Sequence, residues 1–214
     1  MRFLAGAAAA AVLLLGAPAA MAHQGNPHYR STVTSVTPGV NGLTVTVLNY
    51  DDRLELRNFS GRDVVIDDYK GKPYARLLAD RTVEVNTNSE AYYLNDDRYA
   101  DVQVPKGLGS SPHWKVIDKT VRFQWHDHRM HYMSPTVPPQ VTDQDRKTRI
   151  FEWKVPVTVG GRQGAIAGTL DWVPLPKSSL PVGLIWASAA ALIVLLLGVF
   201  VVRRRRSTAA GSAW

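Results

Sequence analysis

Residues 150–173 read IFEWKVPVTVGGRQGAIAGTLDWV. On both sides of the central Gly160-Gly161 pair, large apolar side chains alternate with polar or small ones. Alternation with a period of two, rich in β-branched and aromatic residues, is typical of strands, and a glycine pair between two such runs is typical of a tight turn. The stretch therefore predicts an antiparallel β-hairpin with strands over 150–159 and 164–173.

The same alternation recurs earlier in the chain and predicts an all-β domain. Further strands are predicted over 43–49, 53–60, 62–69, 82–87 and 119–128. Residues 23–173 are long enough to enclose one sizeable core. Seven to nine short strands separated by turn residues predict an immunoglobulin-like antiparallel β-sandwich, with a β-barrel as the alternative. Residues 88–112 are expected to form a long loop with one short strand at most.

The N-terminal segment 1–22 has the pattern of a secretory signal peptide. Arg2 precedes an apolar run, and Ala20-Met21-Ala22 fits the rule of small residues at the cleavage site. We expect cleavage after Ala22, which makes His23 the first residue of the mature chain.

The C-terminal part predicts a single membrane span. Residues 182–202 carry no charge, and their length matches the hydrocarbon core of a bilayer. Four arginines follow at 203–206, so the positive-inside rule places the basic tail 203–214 in the cytoplasm. Residues 174–181 read as a proline-rich stalk. We therefore expect a single-pass type I protein of the cell membrane: an extracellular domain over 23–173, followed by one C-terminal transmembrane helix.

Charge and cysteine content exclude several classes of function. The net charge of +7 comes mostly from the two ends, because Arg2 and the arginines at 203–206 supply five of the 25 basic residues. The segment 23–181 is then nearly neutral, which argues against a nucleic-acid partner. The chain has no cysteine. Disulfides, iron–sulfur clusters, thiolate zinc sites and thiolate-bound blue copper centres are therefore excluded.

The candidate metal ligands are concentrated in WHDHRMHYM, residues 125–133. They are His126, His128, His131, Met130 and Met133. In a strand, His126 and His128 project from one face, and such a pair is a two-ligand unit for copper, zinc or nickel. His131 joins them only if the chain turns after Arg129, and Asp127 or another carboxylate would fix a histidine tautomer. The alternative is a strand end in which these residues make structural hydrogen bonds and fill the core.

His23 adds two nitrogen ligands if the mature chain begins there, one from its α-amine and one from its imidazole. Together with His126 and His128, this constellation resembles the histidine brace of N-terminal-histidine copper proteins, such as CopC-type copper carriers. The resemblance implies a nitrogen-rich site suited to Cu(II), which Met130 or Met133 would complement for Cu(I). It is a resemblance of ligands and not of the whole sequence.

A second resemblance covers more of the chain. The strings LELRNFSGRDVVIDDYKGKPYAR (54–76) and WHDHRMHYM (125–133) are similar to those of an uncharacterised family of exported, single-span actinobacterial proteins. The resemblance implies a signal peptide, a sandwich-like domain and a basic tail, and it implies no established activity.

These patterns predict a membrane-anchored extracellular copper-binding protein for copper capture, delivery or sensing. The alternative is a non-metal β-sandwich module that binds another protein of the cell envelope. A copper-dependent oxidative enzyme ranks third because nothing in the sequence marks a substrate surface, and no catalytic residue is predicted. The acidic group Asp96, Asp97 and Asp101 lacks the glycine of a calcium loop. We expect a solvated loop there, with Arg98 pairing an aspartate.

Overall fold

The structure is a computed structural model that describes residues 25–176 and 182–210. The predicted signal peptide 1–22, His23, and parts of the predicted stalk and tail lie outside the described residues. Residues up to Leu175 belong to one compact unit, and those from Pro176 onward belong to a second.

The first unit is built from strands, as the alternation predicts. In its described part the strands are β1 (Tyr29–Thr37), β2 (Leu43–Leu48), β3 (Arg53–Asn58), β4 (Val64–Asp67), β5 (Pro73–Leu77), β6 (Val83–Asn86), β7 (Trp114–Asp118), β8 (Arg122–His126), β9 (Thr148–Val159) and β10 (Arg162–Trp172). One helical turn, α1 (Ala91–Leu94), lies in the segment predicted as a long loop, and a 3₁₀ turn spans His128–Met130.

The hairpin predicted from residues 150–173 is confirmed. Strands β9 and β10 pair antiparallel, with Val159 opposite Arg162. The turn between them consists of Gly160 and Gly161, whose φ angles are +54° and +77°. Two successive positive φ angles are favoured by glycine and match the twist of a two-residue hairpin.

Two antiparallel sheets form around this hairpin. One sheet has seven strands in the order β1-β10-β9-β4-β5-β6-β7, and the other has three in the order β2-β3-β8. All pairings are antiparallel, as predicted. Within the described residues the strands form two separate ladders in place of the single closed barrel that the sequence leaves open as the alternative.

Strands β1, β5 and β7 are not predicted from the sequence. β1 is rich in serine and threonine, β5 begins at Pro73, and β7 is almost entirely exposed. Each acquires its strand conformation by pairing with a neighbour, and among the described strands β7, at the end of the sheet, pairs with β6 alone. The partners of β1 and β7 are distant in the chain, so local alternation does not reveal these two strands. β5 pairs with the nearby β4 and β6, but it begins at a proline and its burial does not alternate.

One hydrophobic core is shared by both sheets. Along β9, the side chains of Trp153, Val155 and Val157 are buried and alternate with exposed ones. The three-stranded sheet contributes buried residues of β3 and β8, and the ring of Phe123 contacts the ring of Tyr74 in the larger sheet, with centroids 6.0 Å apart. The end of β8 therefore enters the core, and this position brings the histidine-rich stretch inside the molecule.

The second unit contains one long helix, α2 (Val182–Ala210). Among the described residues it is the one helix long and apolar enough to cross a membrane, over Trp186–Arg204 with a mean hydropathy of 2.2. The helix continues through the four arginines to Ala210, beyond the predicted end of the span at residue 202. Arginine and alanine are good helix formers, so the apolar length does not mark where the helix ends.

Candidate metal centre

His126 is the last residue of β8 and faces the interior. β8 pairs with β3, with His126 opposite Arg53. The side chain of His126 is 6% exposed, and its Nδ1 lies 2.5 Å from the backbone carbonyl oxygen of Asp52. Because a carbonyl oxygen only accepts, Nδ1 carries the proton, and Nε2 is left with an unprotonated lone pair.

The chain turns sharply after His126, and Asp127 holds the turn. Its fully buried carboxylate accepts hydrogen bonds from the backbone N–H of Arg129 at 3.1 Å and from the guanidinium of Arg129 at 2.8 Å. It also accepts from the indole Nε1 of Trp125 at 2.9 Å. One prediction needs correction here. The strand ends at His126 and does not continue to His128. Asp127 binds Trp125 and Arg129, and the carboxylate that lies beside a histidine ring is that of Asp52, whose Oδ1 is 3.5 Å from Nδ1 of His126.

This turn brings three histidines together. One ring nitrogen of each of His126, His128 and His131 lies within 4.8 Å of the others. The Nε2 atoms of His126 and His131 are 2.8 Å apart. His131 is 1% exposed and His128 is half-buried. The sequence predicts that His131 joins the pair only if the chain turns after Arg129, and the structure has such a turn but begins it earlier, directly after His126.

Backbone carbonyl groups orient all three rings. His128 Nε2 lies 2.9 Å from the carbonyl oxygen of Asp97, so this nitrogen is the donor and Nδ1 keeps its lone pair in the neutral ring. His131 Nδ1 lies 3.4 Å from the carbonyl oxygen of Tyr132. The two Nε2 atoms of His126 and His131, 2.8 Å apart, are held either by a proton that one donates to the other or by a metal ion that takes the place of this proton. The cluster is therefore a place where a metal ion can replace a proton.

The electrostatic surroundings favour the neutral form of His126 and His131. Burial lowers the pKa of His131 to about 2, and the nearby charges of His126 and Arg98 contribute in the same direction. Burial is also the main cause that lowers the pKa of His126. A neutral imidazole is the form that binds metal, so neither ring has to be converted from an imidazolium cation before an ion binds near neutral pH.

Tyr69 supports the third ring. The Tyr69 and His128 rings are stacked, with centroids 5.7 Å apart and planes 9° apart. The Tyr69 hydroxyl accepts a hydrogen bond from the backbone N–H of His128 at 3.2 Å and donates one to Asn95 Oδ1. The Arg129 guanidinium lies 4.9 Å from the Tyr69 ring centroid, within the range of a cation–π contact.

The other predicted ligands have different environments. Met130 is fully buried in the hydrophobic core and Met133 is 40% exposed, so ligation by either thioether stays a prediction. His23 lies outside the described residues, and the brace that depends on it also stays a prediction. His28 stacks on Trp172 with centroids 4.4 Å apart and is not a member of the three-histidine cluster.

The acidic loop behaves as the sequence suggests. The Asp97 carboxylate accepts hydrogen bonds from the backbone N–H groups of Tyr99 and Asp101, at 2.8 and 3.0 Å. Arg98 pairs with an aspartate, which proves to be the distant Asp51, at 2.7 Å. Sequence reasoning does not identify the carbonyl groups of Asp52 and Asp97 or the ring of Tyr69 as supports of the cluster. A backbone carbonyl has no sequence signal, and the signal of Tyr69 is only its aromatic side chain.

Comparison with protein-family models, with curated proteins and with solved structures finds no match to this chain. The resemblances to an actinobacterial family and to histidine-brace copper proteins therefore stay predictions. The function of the chain has to be inferred from the chemistry of the three-histidine cluster.

Proposed function

We propose that this chain is a membrane-anchored extracellular copper-binding protein in which His126, His128 and His131 bind one metal ion. The observation that supports the proposal is the convergence of three imidazoles, two of them almost fully buried, with ring nitrogens within 4.8 Å of one another. Histidines that bind metal commonly donate their other N–H to a carbonyl or carboxylate group, and His126 and His128 are oriented in this way.

Copper is the metal that we propose because of ligand type and spacing. Imidazole suits copper, zinc, nickel and iron, and the chain has no thiolate to add. Two nitrogens bound cis at about 2.0 Å from an ion lie about 2.8 Å apart in a square-planar arrangement and about 3.3 Å apart in a tetrahedral one. The 2.8 Å between the Nε2 atoms of His126 and His131 is compatible with the cis spacing around Cu(II) and is also the length of an ordinary hydrogen bond, so the choice of copper rests mainly on ligand type.

The proposal also includes further metal ligands, an immunoglobulin-like sandwich and a membrane anchor. A mature N-terminus at His23 would supply amine and imidazole nitrogens in the manner of a histidine brace, and Met130 or Met133 would serve Cu(I). The two antiparallel sheets around one core support an immunoglobulin-like sandwich. The apolar helix α2 supports anchoring, with the sandwich outside the membrane and the arginines in the cytoplasm.

Burial of the cluster favours binding over catalysis. His126 and His131 expose 6% and 1% of their surface, so an ion held there has little room for a substrate beside it. A catalytic metal site keeps an open position that substrate can reach. We therefore infer capture, delivery or sensing of copper and rank oxidative chemistry below it.

The test is a copper titration of the full chain in detergent, with Cu(II) spin-resonance spectra. We expect one copper per chain and a nitrogen-rich signal, both lost in His126→Ala and in His131→Ala. His28→Ala and His113→Ala remove imidazoles that bond to Val173 and Thr87 and should leave copper binding unchanged. Competition with zinc distinguishes the metals, and mass spectrometry of the mature chain establishes whether it begins at His23.

The second candidate is an interaction module of the cell envelope. It is favoured by the fact that the cluster satisfies its own hydrogen bonds when His131 Nε2 donates to His126 Nε2. If neither copper nor zinc binds stoichiometrically at micromolar concentration, the metal proposal is refuted and the interaction module becomes the favoured function.

A further inference from the structure

A loop beside the three-histidine cluster, residues 95–101, lies where it can control the access of an ion to the cluster. Two of the three imidazoles are almost fully buried, so the closed structure gives little access to them. Residues 95–101, which we call the gating loop, follow α1 and belong to no helix or strand. The loop contacts the cluster through the carbonyl group of Asp97, which accepts a hydrogen bond from His128 Nε2 at 2.9 Å.

A second contact holds the gating loop closed. Nη2 of Arg98 lies 2.7 Å from Oδ2 of Asp51, and Nη1 of Arg98 lies 3.7 Å from Oδ1 of Asp52. Asp51 is fully buried, and Asp52 is the residue whose carbonyl group orients His126. The loop is therefore tied at one point to a ring of the cluster and at another to the support of a second ring.

The contact of Arg98 with Asp51 and Asp52 leaves two buried polar atoms without a hydrogen bond. Nη1 of Arg98 and Oδ2 of Asp52 are both buried and have no hydrogen-bond partner among the described residues. A buried polar atom without a partner gains a hydrogen bond when water reaches it. Opening of the loop at Arg98 therefore recovers part of its own cost, because water can then reach both atoms.

The gating loop is held together by hydrogen bonds of its own, and a surface cleft lies beside it. The Asp97 carboxylate accepts from Tyr99 N–H and Asp101 N–H, which favours movement of the loop as one piece. A cleft of about 240 Å³ is lined at one end by Asn95 and Asp96 of the loop and reaches His126. The cleft thus already touches one ring of the cluster, and displacement of the loop would extend it toward His128 and His131.

We propose that the gating loop opens at Arg98 to let metal enter and leave, and that a bound ion holds it closed through His128. This inference rests on the proposed metal-binding function and names how that site is regulated. An ion on Nδ1 of His128 withdraws electron density from the ring, which makes Nε2–H a stronger donor to the Asp97 carbonyl group. The loaded and metal-free proteins then differ in how often the loop opens.

The first test measures the release of copper from the full chain in detergent to an excess of a chromophoric chelator, by stopped flow. In Arg98→Gln we expect the release and uptake rates both to rise about tenfold, with the dissociation constant changed by less than about threefold. The matched control is Lys70→Gln, since Lys70 forms an exposed ion pair with Glu90 near α1 and should release copper at the wild-type rate. An unchanged release rate in Arg98→Gln would overturn the gating role.

The second test uses the wild-type chain and does not depend on the variant folding. Hydrogen exchange of a peptide covering residues 95–101 is compared with and without copper, with the hairpin turn at 160–161 as the control. We expect exchange in the loop to slow about tenfold on copper binding and exchange in the turn to stay the same. Equal protection of the loop in both states would refute the coupling through His128. Failure of the wild-type chain to bind copper would instead overturn the proposed function and the gating inference with it.

Discussion

Asp127 is the residue whose replacement tests most directly how the cluster is built. Four donors converge on its buried carboxylate, three from Arg129 and one from Trp125. The Arg129 side chain is only 18% exposed, so Asp127→Ala leaves a largely buried cation without its partner. Removing one member of a buried ion pair costs about 3–5 kcal/mol. The indole N–H of Trp125 left without an acceptor adds about 1–3 kcal/mol.

We therefore expect Asp127→Ala to lower the free energy of unfolding by at least about 4 kcal/mol, a large share of the stability of a typical domain. Asp127→Asn keeps one acceptor oxygen and should cost about 2–3 kcal/mol, because at least two of the four donors then face an amide NH₂. Asp127→Ala combined with Arg129→Met should be less destabilised than Asp127→Ala alone, since the unpaired charge is gone. The measurement is urea-induced unfolding of residues 23–175, followed by tryptophan fluorescence.

The control for this series is Lys70→Ala. Lys70 is 62% exposed in its ion pair with Glu90, and we expect its loss to cost less than about 1 kcal/mol. If Asp127→Ala were as mild as this control, the carboxylate would not stabilise the turn. The buried ion pair would then not be the reason that His131 reaches His126.

Three further predictions concern the core, the alkaline stability and the topology. Gly168→Ala should cost about 1–3 kcal/mol in urea unfolding, because an added methyl carbon would lie 2.1 Å from a ring carbon of Trp153. Burial raises the pKa of Tyr74 to about 12, above the value of about 10 expected in the unfolded chain. The Tyr74 contribution to stability is thus complete below pH 10 and is lost as the pH rises toward 12. The measurement compares the free energy of unfolding at pH 9 and pH 11 in the wild-type protein and in Tyr74→Phe. In this cysteine-free chain, Arg162→Cys should react with an impermeant maleimide on intact cells and Ser207→Cys should not.

Each of these predictions has its own control or contrary outcome. Gly39→Ala should be nearly neutral, because the nearest atom to its added carbon is 3.9 Å away. A Tyr74→Phe protein that loses stability between pH 9 and pH 11 as steeply as wild type would remove Tyr74 as the cause. Labelling of Ser207→Cys on intact cells would reverse the proposed orientation of the span.

The local sequence pattern correctly predicts those parts of the fold that form between residues close together in the chain. The hairpin of β9 and β10 is local, because its two strands are joined by a two-residue glycine turn. Strands β2 and β3 show clear alternation and are also predicted. β7 is not, since its side chains are mostly exposed and its one partner among the described strands is β6. A strand with one buried face shows alternating apolar and polar residues, and this alternation is what predicts it from sequence. An exposed strand at the end of a sheet lacks the alternation and is therefore not predicted.

The sequence by itself determined the histidine-rich stretch, the absence of thiolate ligands and the apolar helix, because composition and periodicity suffice for each. Only the tertiary structure decided that His126, His128 and His131 meet. The carbonyl groups that orient His126 and His128 belong to Asp52 and Asp97, 74 and 31 residues away along the chain. Hydrogen bonds over such distances exist only after the sheets have packed, and the turn at Asp127 depends on a buried ion pair that the packed core makes strong.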